Sequence, residues 1–117
     1  MSWVGSDGLV RSRIRDGIDF VLEDSIDALD ATKRLAKTLP TGVIVDCAGV
    51  RSASRESREF WSRAEALEAL SCMAIVVTSP IARVIASFFV RLVRPGFNVK
   101  LFSSELEAVE WVRSLSP

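Results

Sequence analysis

The chain has 117 residues, and its 15 Lys and Arg balance 15 Asp and Glu, so the formal charge is zero. That balance argues against a polyanionic partner such as duplex DNA, which calls for a basic surface. Histidine and tyrosine are both absent. Their absence removes Ser-His-Asp and Cys-His catalytic pairs, His-ligated metals and phosphohistidine or phosphotyrosine relays from the candidate chemistries.

The length predicts one domain over residues 1–117, with residues 1–8 as a loose N-terminal segment. Cys47 and Cys72 fall in apolar, strand-like stretches and read as reduced core thiols, too few for a four-cysteine zinc site. Apolar residues make up 49% of the chain, and the run Cys72 to Val77 spans six residues. A membrane span needs roughly 18. The start Met1-Ser2-Trp3-Val4-Gly5-Ser6-Asp7 has neither a basic nor an apolar signal region, so the expected location is cytoplasmic.

In chain order, Leu9 to Arg15 alternates apolar and polar residues, with Arg11, Arg13 and Arg15 on one side as on an edge strand. Asp16-Gly17 is a turn dipeptide and Ile18 to Glu23 resumes as a strand, which predicts a hairpin. Asp24 offers an N-cap to a helix carrying Ile26, Leu29, Thr32, Leu35, Ala36 and Leu39, stopped by Pro40-Thr41-Gly42. Val43 to Cys47 has the character of a buried parallel strand. After the connection Ala48 to Ala53, Ser54 caps a helix predicted from Arg55 to about Ala69, with Phe60, Trp61, Ala64 and Leu67 inward. Met73 to Val77 is a further buried strand, and Thr78-Ser79-Pro80 opens a helix over Pro80 to Val93 that ends at Arg94-Pro95-Gly96. Val99 to Phe102 is the last strand. Ser104-Glu105-Leu106-Glu107 forms a capping box for a last helix, with Leu106, Val109, Val112 and Leu115 inward.

The order β-β-α-β-α-β-α-β-α predicts an α/β fold: a mostly parallel sheet of about five strands, an N-terminal hairpin and four helices. In such sheets ligands sit beyond the carboxyl ends of the strands, where helix N-termini offer free N–H groups. Two junctions there form a candidate crevice. Asp46, Ser52, Ser54, Arg55 and Ser57 follow one strand, and Thr78, Ser79 and Arg83 follow the next. Hydroxyls and arginines at helix N-termini suit an anion. The same residues also serve as ordinary caps. No glycine-rich nucleotide fingerprint is present, and Asp46 is the only acid from Ala31 to Arg55, which leaves no metal-binding carboxylate pair. No cofactor is expected.

The segment Pro80 to Val93 is apolar around most of its circumference, with Arg83, Ser87, Arg91 and Arg94 as its polar stripe. Phe88, Phe89, Val90, Arg91 and Val93 are the candidate interface, with Phe89, Val90 and Val93 on the flank expected to be exposed. Ile81 to Lys100 carries Arg83, Arg91, Arg94 and Lys100 and no acid. Such a basic amphipathic helix also fits a membrane surface.

The strand Val43-Ile44-Val45-Asp46-Cys47, the link Ala48 to Ala53 and the helix start Ser54-Arg55-Glu56-Ser57 resemble the central segment of STAS (SpoIIAA-like) domains. The tail Val99 to Val112 resembles a bacterial branch of STAS-like proteins with no assigned activity. The resemblance implies a non-enzymatic regulatory or protein–protein interaction module. In anti-sigma-factor antagonists of this family, an Asp-Ser-Ser/Thr-Gly motif carries a phosphorylated serine. Here Ser54-Arg55-Glu56-Ser57 lies over that motif, so Arg55 or Glu56 takes the phosphoacceptor place and the switch does not carry over. The expected partner is a protein, foremost a second copy in a homodimer. The alternative is a carrier of a small apolar or lipid-like ligand, since the CRAL-TRIO lipid-binding fold is a structural relative and Trp61, Phe88 and Phe89 could line a pocket.

Overall fold

A computed structural model describes residues 2–14, 18–47, 50–93 and 97–115, excluding the side chains of Ile18, Val50, Arg51, Leu92 and Val93. Two neighbouring strands open the chain, β1 (Ser2–Val4) and β2 (Val10–Arg13), followed by β3 (Ile18–Phe20) and helix α1 (Leu22–Leu35). Next come β4 (Thr41–Asp46), β5 (Val50–Ala53), α2 (Arg55–Phe60) and α3 (Ala64–Ala69). The chain finishes with β6 (Leu70–Val76), α4 (Pro80–Val93), β7 (Asn98–Phe102) and α5 (Glu105–Leu115).

Five strands form the main sheet in the order β1-β2-β4-β6-β7, and β3 and β5 form a separate two-stranded sheet. Only β1 runs antiparallel in the main sheet. The α/β architecture with a mostly parallel five-stranded sheet is therefore as the sequence pattern predicts. Alternation across the pleat divides the core in two. Val43, Met73, Ile75 and Val77 face a cluster shared with Leu29, Phe60, Trp61, Ala82 and Ala86, while Ile44, Cys72, Ala74 and Val76 face Ala108 and Val112 of α5. The first four helices thus serve one face, and among the described residues α5 is the helix that covers the other. Gly42 lets α5 approach that second face: a Cβ there would lie 2.8 Å from both Cys72 Sγ and Val112 Cγ1.

Several expectations are corrected. Residues 2–4 are not loose but pair with β2, through Ser2↔Ser12 and Val4↔Val10. The hairpin is therefore β1–β2, turned at Gly8 with φ 82°, and β3 instead pairs in parallel with β5. The turn placed at Asp16-Gly17 lies outside the described residues. β2 is an interior strand rather than an edge, since it pairs with β1 on one side and β4 on the other; Arg11 is tolerated there because it donates to both Asp7 carboxylate oxygens at 2.7 Å and to Glu105 at 2.9 Å. Helix α1 starts at Leu22, two residues before the expected cap, and Asp24 at its third position accepts the Val21 N–H at 2.9 Å.

The long helix expected over 55–69 is two short ones, giving five helices rather than four among the described residues. Ser62 donates its hydroxyl to the Glu59 carbonyl at 2.9 Å, a local bond that competes with helix propagation. The break resets the helical phase. Ala66 and Ala69 turn inward and Leu67 is exposed. In α5 the inward residues are Ala108 and Val112, whereas Leu106 and Leu115 are exposed. The stop at Arg94-Pro95-Gly96 lies outside the described residues, yet α4 spans Pro80 to Val93 as the sequence predicts.

Candidate functional site

The residues expected at the crevice occupy two separate places. In the first, Ser54 caps α2 by accepting the Ser57 N–H at 3.1 Å. Ser57 is buried, and its hydroxyl bonds the carbonyls of Phe20 at 3.2 Å and Ser54 at 3.0 Å. Ser52 donates to Asp19 at 2.6 Å, and Arg55 reaches Glu59 at 2.8 Å on the surface. That bond raises the pKa of the Arg55 guanidinium. Asp46 ends β4 as an ion-pair partner of Arg13 at 3.4 Å. In the second place, Ser79 caps α4 by accepting the Ala82 N–H at 3.1 Å, and Arg83 donates to Ser103 at 3.0 Å. Thr78, Ser79, Pro80, Arg83 and Ser103 line a shallow recess there. Each of these polar side chains but Thr78 already has a structural partner.

A larger space lies elsewhere, between the first face of the sheet and helices α1, α2 and α4. Its volume is about 500 Å³, and it opens to solvent. Val43, Val45, Met73 and Ile75 form the floor. Ala28, Ala31 and Thr32 of α1, Trp61, and Ala82, Ile85, Ala86 and Phe89 of α4 form the walls. Arg13, Arg34 and Arg58 with Asp24 and Asp27 supply its charged lining. Cys47 also lines it, and burial, with the nearby Asp46 charge, pushes its thiol up to about 12. Cys72 is buried under α5, and burial pushes its thiol upward as well. Both are free thiols. Neither is poised as a nucleophile, because at neutral pH the thiolate is scarce.

Sequence reasoning placed Trp61 and Phe89 at a pocket, and both line this one. Phe88 does not. It is 53% exposed, and with Ile81 at 67% and Val84 at 56% it forms an apolar stripe along the outside of α4. The flank expected to be exposed therefore needs correction: Phe89 turns inward against the core and Val90 is half-buried. Arg91 is exposed beside the stripe, and the side chain of Val93 lies outside the described residues. A signal for the cavity was present in the sequence. Small residues recur where α1 and α4 face the sheet (Ala28, Ala31, Ala82, Ala86), and short side chains leave space between layers.

A sequence profile for a domain of unknown function, DUF7793, matches residues 2–116. The chain belongs to the DUF7793 family. No curated protein matches it. Among solved structures, the DUF7793 chain is similar to an uncharacterised DUF3478-family protein from Shewanella loihica PV-4, described as having a SpoIIAA-like fold. The two share 12% identity over 96% of this chain and 90% of that one, with a TM-score of 0.55. At that identity the likeness speaks for the fold alone, and it agrees with the resemblance carried by Val43 to Ser57. This DUF7793 domain has a SpoIIAA-like fold, with β4 as the strand of that resemblance and α2 as its helix. Ser57, over the glycine of the STAS motif, is 1% exposed. Arg55 and Glu56, over the phosphoacceptor place, are exposed and carry no hydroxyl. Among the described residues no helix is long and apolar enough to cross a membrane.

Proposed function

We propose that this DUF7793 domain is a non-enzymatic, cytoplasmic interaction module that self-associates through the outer face of α4. The observation that carries the reading is the stripe of Ile81, Val84 and Phe88, exposed at 67%, 56% and 53% on a helix without an acidic residue. Positions i, i+3 and i+7 fall on one helical face, the spacing at which two helices interlock their side chains. An isologous contact must be self-complementary. This stripe is, because two antiparallel copies of α4 set Ile81 against Phe88 of the other copy and Val84 against its own counterpart. The arginines stay on the rim, where they remain hydrated.

Sedimentation of the wild type and of Phe88→Asp over a wide concentration range tests this. A central aromatic anchor contributes about 2 kcal/mol or more to such a contact, so the variant's dimer dissociation constant rises roughly 30-fold or more. A wild type that stays monomeric at high concentration overturns the reading. So does a stripe whose effect is binding to anionic vesicles instead.

A further inference from the structure

We infer that the cavity between the sheet and α1, α2 and α4 is a binding site for a single-chain amphiphile bearing one carboxylate, with Arg58 as its anchor. The site is separate from the outer stripe of α4. Protein interiors are close-packed and rarely keep voids larger than a water molecule, whereas ligand sites span roughly 300–1,000 Å³. At about 500 Å³ the space falls in the second class. Its lining is predominantly apolar, with Val45, Met73, Ile75, Trp61, Ala86 and Phe89 arranged over floor and walls. An elongated hydrocarbon chain satisfies such a lining. A polar or multiply charged ligand leaves it unmatched.

The charged lining selects the head group. Arg13 is engaged by Asp46 at 3.4 Å. Asp24 accepts the Val21 N–H at 2.9 Å, and Asp27 and Arg34 lie exposed at the rim. Arg58 differs: it is half-buried, lines the cavity, and spends only its Nε on the Ser54 carbonyl at 3.4 Å. No acidic residue among the described ones pairs with it. Its two terminal amino groups form the fork that holds a carboxylate through two parallel bonds. One half-buried guanidinium in a mostly apolar lining offers a single two-bond site, which matches a monocarboxylate head on a hydrocarbon chain.

Titration of the full chain with dodecanoate, decanoate and dodecan-1-ol below their aggregation concentrations, followed by calorimetry and by Trp fluorescence, tests the site. Dodecanoate is expected to bind saturably at one site per chain. Each methylene adds about fourfold in affinity, so decanoate binds roughly 15-fold more weakly. Arg58→Met is expected to weaken dodecanoate about tenfold or more while leaving dodecan-1-ol unchanged. Ala86→Phe, which fills the cavity, is expected to abolish both, with its thermal unfolding recorded to confirm that it folds. Equal affinity of acid and alcohol, unaltered in Arg58→Met, overturns the anchor. Failure of both to bind the wild type, or binding that survives Ala86→Phe, overturns the site itself. Neither result bears on whether the wild type dimerises.

Discussion

Ser25 and Trp61 hold α1 to α2 through a bond whose worth can be isolated. The indole Nε1–H donates to Ser25 Oγ at 3.1 Å, and Ser25 donates in turn to the Ser57 carbonyl at 3.3 Å. Ser25 is 0% exposed and Trp61 8%, so water is not at hand to replace either partner. In Ser25→Ala the indole N–H faces a methyl group. A buried donor left unmade costs about 1–3 kcal/mol, and the lost bond to Ser57 adds about 1. Trp61→Phe removes the donor but keeps an aromatic ring near Phe60, which now meets the indole edge-on at 5.3 Å. Once the donor is gone, Ser25→Ala costs only the bond to Ser57. The double-mutant cycle therefore predicts a coupling of about 1–3 kcal/mol, the cost of the unmade donor. Urea unfolding followed by far-UV circular dichroism measures it, provided the slope with urea is common to all four proteins. Additivity within about 0.5 kcal/mol would show that Trp61 does not depend on Ser25, and that packing alone joins the two helices.

Three further outcomes follow from local geometry. Gly42→Ala drives a methyl into Cys72 Sγ and Val112 Cγ1; overpacking costs about 1–3 kcal/mol and lowers the melting temperature, and an unchanged melting temperature would mean α5 sits farther from the sheet. Asp7 is held well below the usual carboxylate range, chiefly by its hydrogen bonds from Arg11. A depressed carboxyl stabilises above its unfolded pKa of about 4 and loses that contribution as pH falls below it, so wild type and Asp7→Asn should differ most in melting temperature near pH 7 and converge toward pH 2. Parallel profiles would remove the ion pair from the stability balance. With its thiol at about 12 rather than the ordinary 9.0, half-buried Cys47 offers on the order of a thousandfold less thiolate at pH 8, so alkylation should be far slower in the folded protein than after unfolding in urea; equal labelling rates would refute the raised thiol.

What the sequence made legible was whatever both faces of an element reported together. Val43 to Val45 and Met73 to Val77 are buried on two sides, so continuous apolar runs marked them as central strands. Helix α4 was bounded correctly because Ser79 and Pro80 are a cap and a first-turn proline in the same place. The misses are non-local. Ser2-Trp3-Val4 is too short to carry a period, and only its partner β2 makes it a strand. β5 likewise exists through pairing with β3. Arg11 looked solvated because nothing in the pattern reveals that Asp7 and Glu105, the latter 94 residues away, both reach it. The exposed flank of α4 was misplaced for a related reason. On a helix apolar nearly all round, hydrophobicity does not fix which flank meets the sheet.

That ambiguity between Phe88 and Phe89 also supplies the sharpest test of how α4 is used. Phe89 packs on the core and lines the cavity, so Phe89→Asp places a carboxylate against Ala86, Ile85 and the sheet. Burying an unpaired charge costs several kcal/mol, a large part of the 5–15 kcal/mol typical of a domain. Phe88, about 100° farther round the helix, is 53% exposed on the outer stripe, so Phe88→Asp removes little that the monomer had buried. Its expected effect on the unfolding of the dilute, monomeric protein is within about 0.5 kcal/mol, while the dimer weakens sharply. The two neighbours thus separate folding from assembly. If Phe88→Asp lowered monomer stability as much as Phe89→Asp, the stripe would be core after all. Ile81, Val84 and Phe88 are dispensable to the monomer only if α4 is anchored from its other face, and Ala82, Ile85, Ala86 and Phe89 are the residues that anchor it.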